Sequence, residues 1–147
     1  MSGFLDRLWS RAPAAPATAA DPADLFPRAL AIVLVHEGGA KVTNDPADPG
    51  GLTKYGISKR ANPDLDIANL TEAQAGAIYR ERYWTPCRCG EMPWPVALVV
   101  FDCAVNMGVG RAARLLQMAL RVPADGAIGP KTLAALASAD ALAVARE

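Results

Sequence analysis

At 147 residues the chain is about one domain long and can bury roughly two thirds of its unfolded surface, so it needs no staple to hold a core. Fifteen acidic residues cancel fifteen basic ones, which leaves no overall field to hold nucleic acid or an anionic membrane. The hydrophobic fraction is 52%, much of it alanine, and Val, Ile and Thr runs long enough for several strands are missing, so a mainly α fold is expected.

The N-terminal MSGFLDRLWSR carries Asp6 and Arg7 where a signal peptide needs an unbroken apolar region, and no stretch approaches the length of a membrane span. Synthesis in the cytoplasm without an export signal is the expectation, with no stable membrane insertion and with the first turn, Phe4 to Trp9, as a docking element. Ala12 to Ala20 is almost only Ala and Pro, a linker composition that cannot bury a core. Residues 1–20 therefore read as a tail, and the folded domain should begin near Asp21.

Asp24 can cap the next helix, with Pro27 in its first turn, where the missing N–H costs nothing. In LFPRALAIVLVHEGG, Leu30, Val33, Leu34 and Glu37 fall at i, i+3, i+4 and i+7, so the glutamate continues the stripe that should face the core. Gly38 and Gly39 supply the left-handed residue that ends a helix, which sets Glu37 in the last turn. Partial desolvation and the negative end of the helix dipole then act together to disfavour its ionised form, as a general acid requires. The alternative is a surface glutamate on a frayed helix end.

The loop TNDPADPGGLTKYGIS that follows joins Asn44, Asp45 and Asp48 to Pro46, Pro49, Gly50 and Gly51, a cluster of turn formers, and Thr53 to Ile57 reads as a short extended or hairpin piece. Its acidic spacing lacks the oxygen alternation and closing glutamate of a calcium loop. The three cysteines, Cys87, Cys89 and Cys103, are odd in number and the CRC spacing is too tight for an ordinary disulfide, which suits a reducing compartment. With His36 the single histidine, neither a metal nor another cofactor is expected.

Thr71 and Gln74 make a capping box for a helix with Ala75, Ile78 and Tyr79 on one face. Tyr79 and Tyr83 read first as core, while Trp84 reads equally as core or as the lining of a sugar cleft. Pro95 suits the first turn of a helix to about Asn106, whose lack of charge except Asp102 marks it as the central buried one. Ala112, Leu115, Leu116 and Ala119 keep helical spacing, and Pro130 opens a further helix after a Gly/Pro turn.

With EGG, NDPADPGGLTKYGIS, YRERYW and FDCAVNMGVGRAARLLQ in that order, the chain resembles glycoside hydrolase family 108, phage and prophage endolysins of the N-acetylmuramidase type, over about residues 24–137. DGAIGPKTLAAL is similar to the predicted peptidoglycan domain of that family. The resemblance implies a lysozyme-like helical fold, with residues 21–94 as the catalytic part and 95–147 as a helical peptidoglycan-binding part in the same globule. It implies cleavage of the β-1,4 bond between N-acetylmuramic acid and N-acetylglucosamine, with Glu37 as the catalytic acid. The wider phage-lysozyme group has a Glu, Asp, Thr set, which carries over to Thr53 and to Asp48 or Asp45, with Asp48 preferred because it lies nearer Thr53. Tyr55 and Asn106 are cleft candidates, or equally structural hydrogen-bond partners. A monomer acting on the wall from the periplasm, released there by a holin, is the implied context. A non-catalytic wall-binding or phage-particle protein, and a lytic transglycosylase, are the competing readings. Family members generally continue past the point where this chain stops.

Overall fold

The structure, a computed structural model, is described over residues 24–44 and 50–147, so the N-terminal tail, Asp45 and Asp48 lie outside the described residues. In chain order come α1 (Phe26–His36), a hairpin of β1 (Thr53–Lys54) and β2 (Ile57–Ser58), α2 (Glu72–Tyr79) and α3 (Val96–Met107). α4 (Val109–Ala119), α5 (Pro130–Ala137) and α6 (Ala141–Val144) complete the mainly α fold. α2 runs on into a π-helical turn at Arg80–Trp84, and a 3₁₀ turn at Cys89–Glu91 leads toward α3.

α3 is the hub because its sequence allows no wet face. VALVVFDCAVNM buries Val96, Ala97, Leu98, Val100, Phe101, Asp102 and Ala104, and the helix packs on α1, the π-helical and 3₁₀ turns, α4 and α6. A helix apolar around most of its circumference has to be enclosed in this way. Phe101 stands at the centre, with the rings of Phe26 at 5.8 Å, Trp84 at 5.3 Å and Tyr79 at 6.3 Å, all edge-on. Each such pair adds about 0.5–1.5 kcal/mol beyond simple burial.

The local signals hold. Asp24 accepts the Phe26 N–H at 3.0 Å, Pro27 lies in the first turn of α1, and Thr71 with Gln74 forms the reciprocal capping box of α2. Between the hairpin and α2, Lys59 and Lys54 donate to the carbonyls of Leu65 and Ala68 at 2.8 and 3.2 Å. Buried Asn62 takes a 2.6 Å bond from Arg82 and donates to the Ser58 carbonyl at 3.0 Å. This long connection is thereby fastened to the hairpin and to the π-helical turn.

α4 departs from the expected face. It buries Ala112, Ala113, Leu116 and Gln117, whereas Leu115 is 39% exposed. The rotation brings Gln117 inside, where its amide donates to Asp125 at 2.7 Å, the Ala127 carbonyl at 3.0 Å and the Thr132 hydroxyl at 3.2 Å, and accepts the Gly126 N–H at 2.9 Å. The polar DGAIGPKT turn is thus held inward by one side chain. Gln117→Leu keeps the volume but strands these partners, and is expected to lower unfolding free energy by about 2–4 kcal/mol. Denaturant unfolding checks this; a loss under about 1 kcal/mol would mean that water replaces the latch.

Candidate active site

α1 ends in a way that fixes its last side chain. The Glu37 N–H still bonds to the Val33 carbonyl at 3.0 Å, and the Gly39 N–H reaches back to the Leu34 carbonyl at 2.8 Å. Gly38 and Gly39 sit at φ +87° and +60°, the left-handed pair that closes a helix through a bond from the second residue beyond it. Glu37 is therefore the cap residue, half-buried at the helix end.

The hairpin presses on it from the other side. β1 and β2 pair Thr53 with Ser58 and Lys54 with Ile57, so Tyr55 and Gly56 form a two-residue turn with φ +52° and +72°, the mirror-image geometry that suits tight hairpins. A tyrosine in that region is strained and persists only if its surroundings over-determine it. Both its backbone groups are held: the Tyr55 N–H donates to the Gly39 carbonyl at 3.0 Å, and its carbonyl accepts the buried Tyr79 hydroxyl at 2.8 Å. The turn is thus tied to the end of α1 and to α2 at once. A Cβ on Gly56 would stand 2.7 Å from the Tyr79 hydroxyl, 2.8 Å from Glu37 Oε2 and 3.0 Å from Glu37 Cβ. The acid lies directly against the turn, in a space that only glycine leaves open.

Among the described residues the Glu37 carboxyl makes no hydrogen bond, and its pKa is raised. Burial is the largest cause, the negative charge of Asp102 adds to it, and His36 opposes both. The Tyr79 phenol is also pushed well up, by burial and then by the Glu37 charge. Asp102 is itself raised by burial, with His36 working the other way. Each of these shifts favours the protonated form, which at Glu37 suits donation to an incoming leaving group.

Of the other residues singled out, Thr53 lies on the strand next to the turn. Its backbone pairs with Thr43 at 2.8 and 2.9 Å, and its hydroxyl donates to the Gly51 carbonyl at 3.1 Å, leaving its oxygen free to accept. Asn106 is exposed in the last turn of α3, with its amide on the Asp102 carbonyl at 2.8 Å. Tyr55 is 8% exposed and acts here through its backbone. Trp84 requires correction as a cleft residue: it is 4% exposed and enclosed by Phe26 and Phe101 at 5.3 Å each, because the π-helical turn points it into the core. Asp102, singled out only as the lone charge of a buried helix, proves to act electrostatically on Glu37.

Cys87, Cys89 and Cys103 are free thiols, the first two fully buried, and among the described residues no three His, Cys, Asp or Glu are grouped to hold a metal ion. A shallow depression of about 420 Å³ between Leu65, Leu70 and Ile78 shares no lining residue with Glu37. The carboxylate on its rim, Asp66, is occupied by Asn69 at 2.9 and 3.3 Å. The Glu37 carboxyl, by contrast, makes no hydrogen bond among the described residues.

Comparison with known proteins points to the same segment. The family Glycosyl hydrolase 108 matches residues 30–108, which span most of α1, the hairpin, α2 and α3. A solved structure described as that of Brucella abortus SagA is similar, with 34% sequence identity and a TM-score of 0.67 over 81% of this chain and 72% of that one. No curated protein matches the chain.

Proposed function

Since the chain belongs to the glycosyl hydrolase 108 family, we propose that it is a peptidoglycan hydrolase cleaving the β-1,4 bond between N-acetylmuramic acid and N-acetylglucosamine. The observation that carries the mechanism is the Glu37 carboxyl, half-buried at a helix end, unbonded among the described residues and raised in pKa. Held in its acid form, Glu37 protonates the glycosidic oxygen as the bond to the muramic sugar breaks and positive charge spreads over its ring. Tyr79 and the Tyr55–Gly56 turn hold the acid's side chain in place from behind.

The second group comes from the loop after α1. Asp48, or Asp45, stabilises the sugar cation, or with Thr53 orients a water on the opposite face; the Thr53 oxygen, with its proton directed to Gly51, is suited to accepting from that water. A water route inverts the anomeric centre and a direct carboxylate attack retains it, according to the spacing of the two carboxyls. In this proposal the partner is the bacterial wall, reached from the cytoplasm with the help of a holin, and the protein acts as a monomeric, bacteriolytic endolysin.

Mass analysis of digested, purified walls tests the reaction. Free reducing muramic ends are expected. 1,6-Anhydromuramic ends would overturn hydrolysis in favour of a transglycosylase, and binding without new ends would overturn the enzyme reading.

A further inference from the structure

The depression of about 420 Å³ between α2 and the 65–70 stretch has no task in the scheme above. Gly76 turns toward α1, since a Cβ there would stand 2.8 Å from Leu30 Cδ2. Gln74, Ala77 and Ile78, which line the depression, fall on the other side of α2 at about 3.6 residues per turn. Leu65 and Leu70 complete its apolar lining. Its two walls are also the segments that hold the hairpin. Lys54 and Lys59 donate to the carbonyls of Ala68 and Leu65, and Tyr79 on α2 donates to that of Tyr55. The depression therefore stands on the same framework as the proposed acid while sharing no residue with it.

Two amides of the lining are each held by one end. Gln74 Oε1 accepts the Thr71 N–H at 2.9 Å and the Thr71 hydroxyl at 3.0 Å, which fixes the orientation of the amide. Its Nε2 is left as a donor without a partner among the described residues. Asn69 is fixed the opposite way: its Nδ2 and its backbone N–H donate to the Asp66 carboxylate at 2.9 and 3.3 Å, and its Oδ1 is left to accept. An apolar lining thus carries one preset donor and one preset acceptor, the complement of a neutral amide that ends in a methyl group.

Resting on the reading of the chain as a wall hydrolase, we propose that this depression is an accessory glycan site that takes the acetamido group of an N-acetylated sugar. The acetamido methyl lies on Leu65, Leu70, Ala77 and Ile78, its carbonyl accepts from Gln74 Nε2, and its N–H donates to Asn69 Oδ1. Polar groups already held in place lose little freedom when they bind. A plain sugar hydroxyl has no methyl to cover the apolar lining. Every sugar of the proposed substrate carries an acetamido group, so a strand engaged at Glu37 has another to offer here, and attachment at two points strengthens retention on the wall.

The test is an NMR titration of the full chain with the β-1,4-linked trimer of N-acetylglucosamine, set against the trimer of glucose. The side-chain amide signals of Gln74 and Asn69 and the Ile78 methyl should move saturably with the first and not with the second. No movement, an equal response to both trimers, or shifts confined to Glu37 and the hairpin overturns the proposal, and a response to a wall stem peptide alone overturns it in favour of a peptide site. Gln74→Glu keeps an oxygen on the Thr71 N–H, as in the commonest capping box, but sets an acceptor against the acetamido carbonyl. Binding at the depression should weaken by about tenfold; unchanged binding overturns the assignment. If that variant does not fold, Ala77→Leu, at an exposed helical position, decides: it fills the lining and should weaken binding too, and full-strength binding overturns the proposal. Failure of the wild type to cleave walls would sink the hydrolase reading while leaving the titration to judge the depression.

Discussion

Glu37→Gln is expected to slow wall hydrolysis by about 10²–10⁴-fold, the usual contribution of a positioned general acid, with the fold intact. The two effects separate because Glu37 serves the fold through its backbone, by the N–H bond to Val33, while its side chain makes no hydrogen bond among the described residues. The pH dependence of stability has a definite sign. The folded pKa of Glu37 lies above its unfolded value, so its favourable contribution is complete below the unfolded pKa and is lost as pH rises through the folded one. Above the folded pKa, wild type bears an ionised, half-buried carboxylate that the amide lacks. There the variant should unfold at the same or a slightly higher temperature, and the difference should turn against it as pH falls through the folded pKa. Wild-type clearing should fall on the alkaline side, as the acid loses its proton. Near-normal clearing by Glu37→Gln would remove it as the acid, and a large drop in its unfolding temperature would mean that lost activity reports lost structure.

Gly56→Ala should damage both stability and activity. The residue is at φ +72° and its new Cβ would meet Glu37 Oε2 at 2.8 Å and the Tyr79 hydroxyl at 2.7 Å. Left-handed backbone costs a non-glycine residue roughly 1 kcal/mol, and overpacking adds about 1–3 kcal/mol. Relief requires either Tyr79 to leave the Tyr55 carbonyl or Glu37 to move. A displacement of about 1 Å at a reacting group can cost on the order of 10²-fold. Gly38→Ala is the control, since at φ +87° it has nothing within 4 Å and should bear only the backbone cost of about 1 kcal/mol. Unfolding free energies and clearing rates, measured well below each unfolding midpoint, check the pair. Equal stability losses would mean that the turn yields without strain, and normal clearing by Gly56→Ala would mean that the turn does not position the acid.

Much of the site could be read along the chain because it is built from local rules. The 3.6-residue stripe that ends on Glu37, the two glycines after it and the Thr71–Gln74 box each depend on residues within one turn of one another, and each stands in the structure as expected. The hairpin was legible as an extended piece, though not the reason for a tyrosine at its strained corner. That reason lies in Gly39 and in Tyr79, the latter 24 positions away.

Trp84 and α4 show where sequence order stops helping. A tryptophan at a helix end reads equally as core or as cleft lining, and what decided it was Phe26 and Phe101 arriving from two other helices. On α4, periodicity alone favoured Leu115, but the buried face follows Gln117, because the DGAIGPKT turn returns there with groups that only an amide can satisfy together.

The sequence by itself determined a mainly α chain, the helix that ends on an acid, the glycines that stop it and the family to which these motifs belong, since propensity, periodicity and capping act over a few residues. Only the tertiary structure decided what surrounds that acid. The turn against Glu37, the phenol behind that turn and the Asp102 charge come from segments distant in sequence, and desolvation and Coulomb interaction depend on distance in space rather than along the chain.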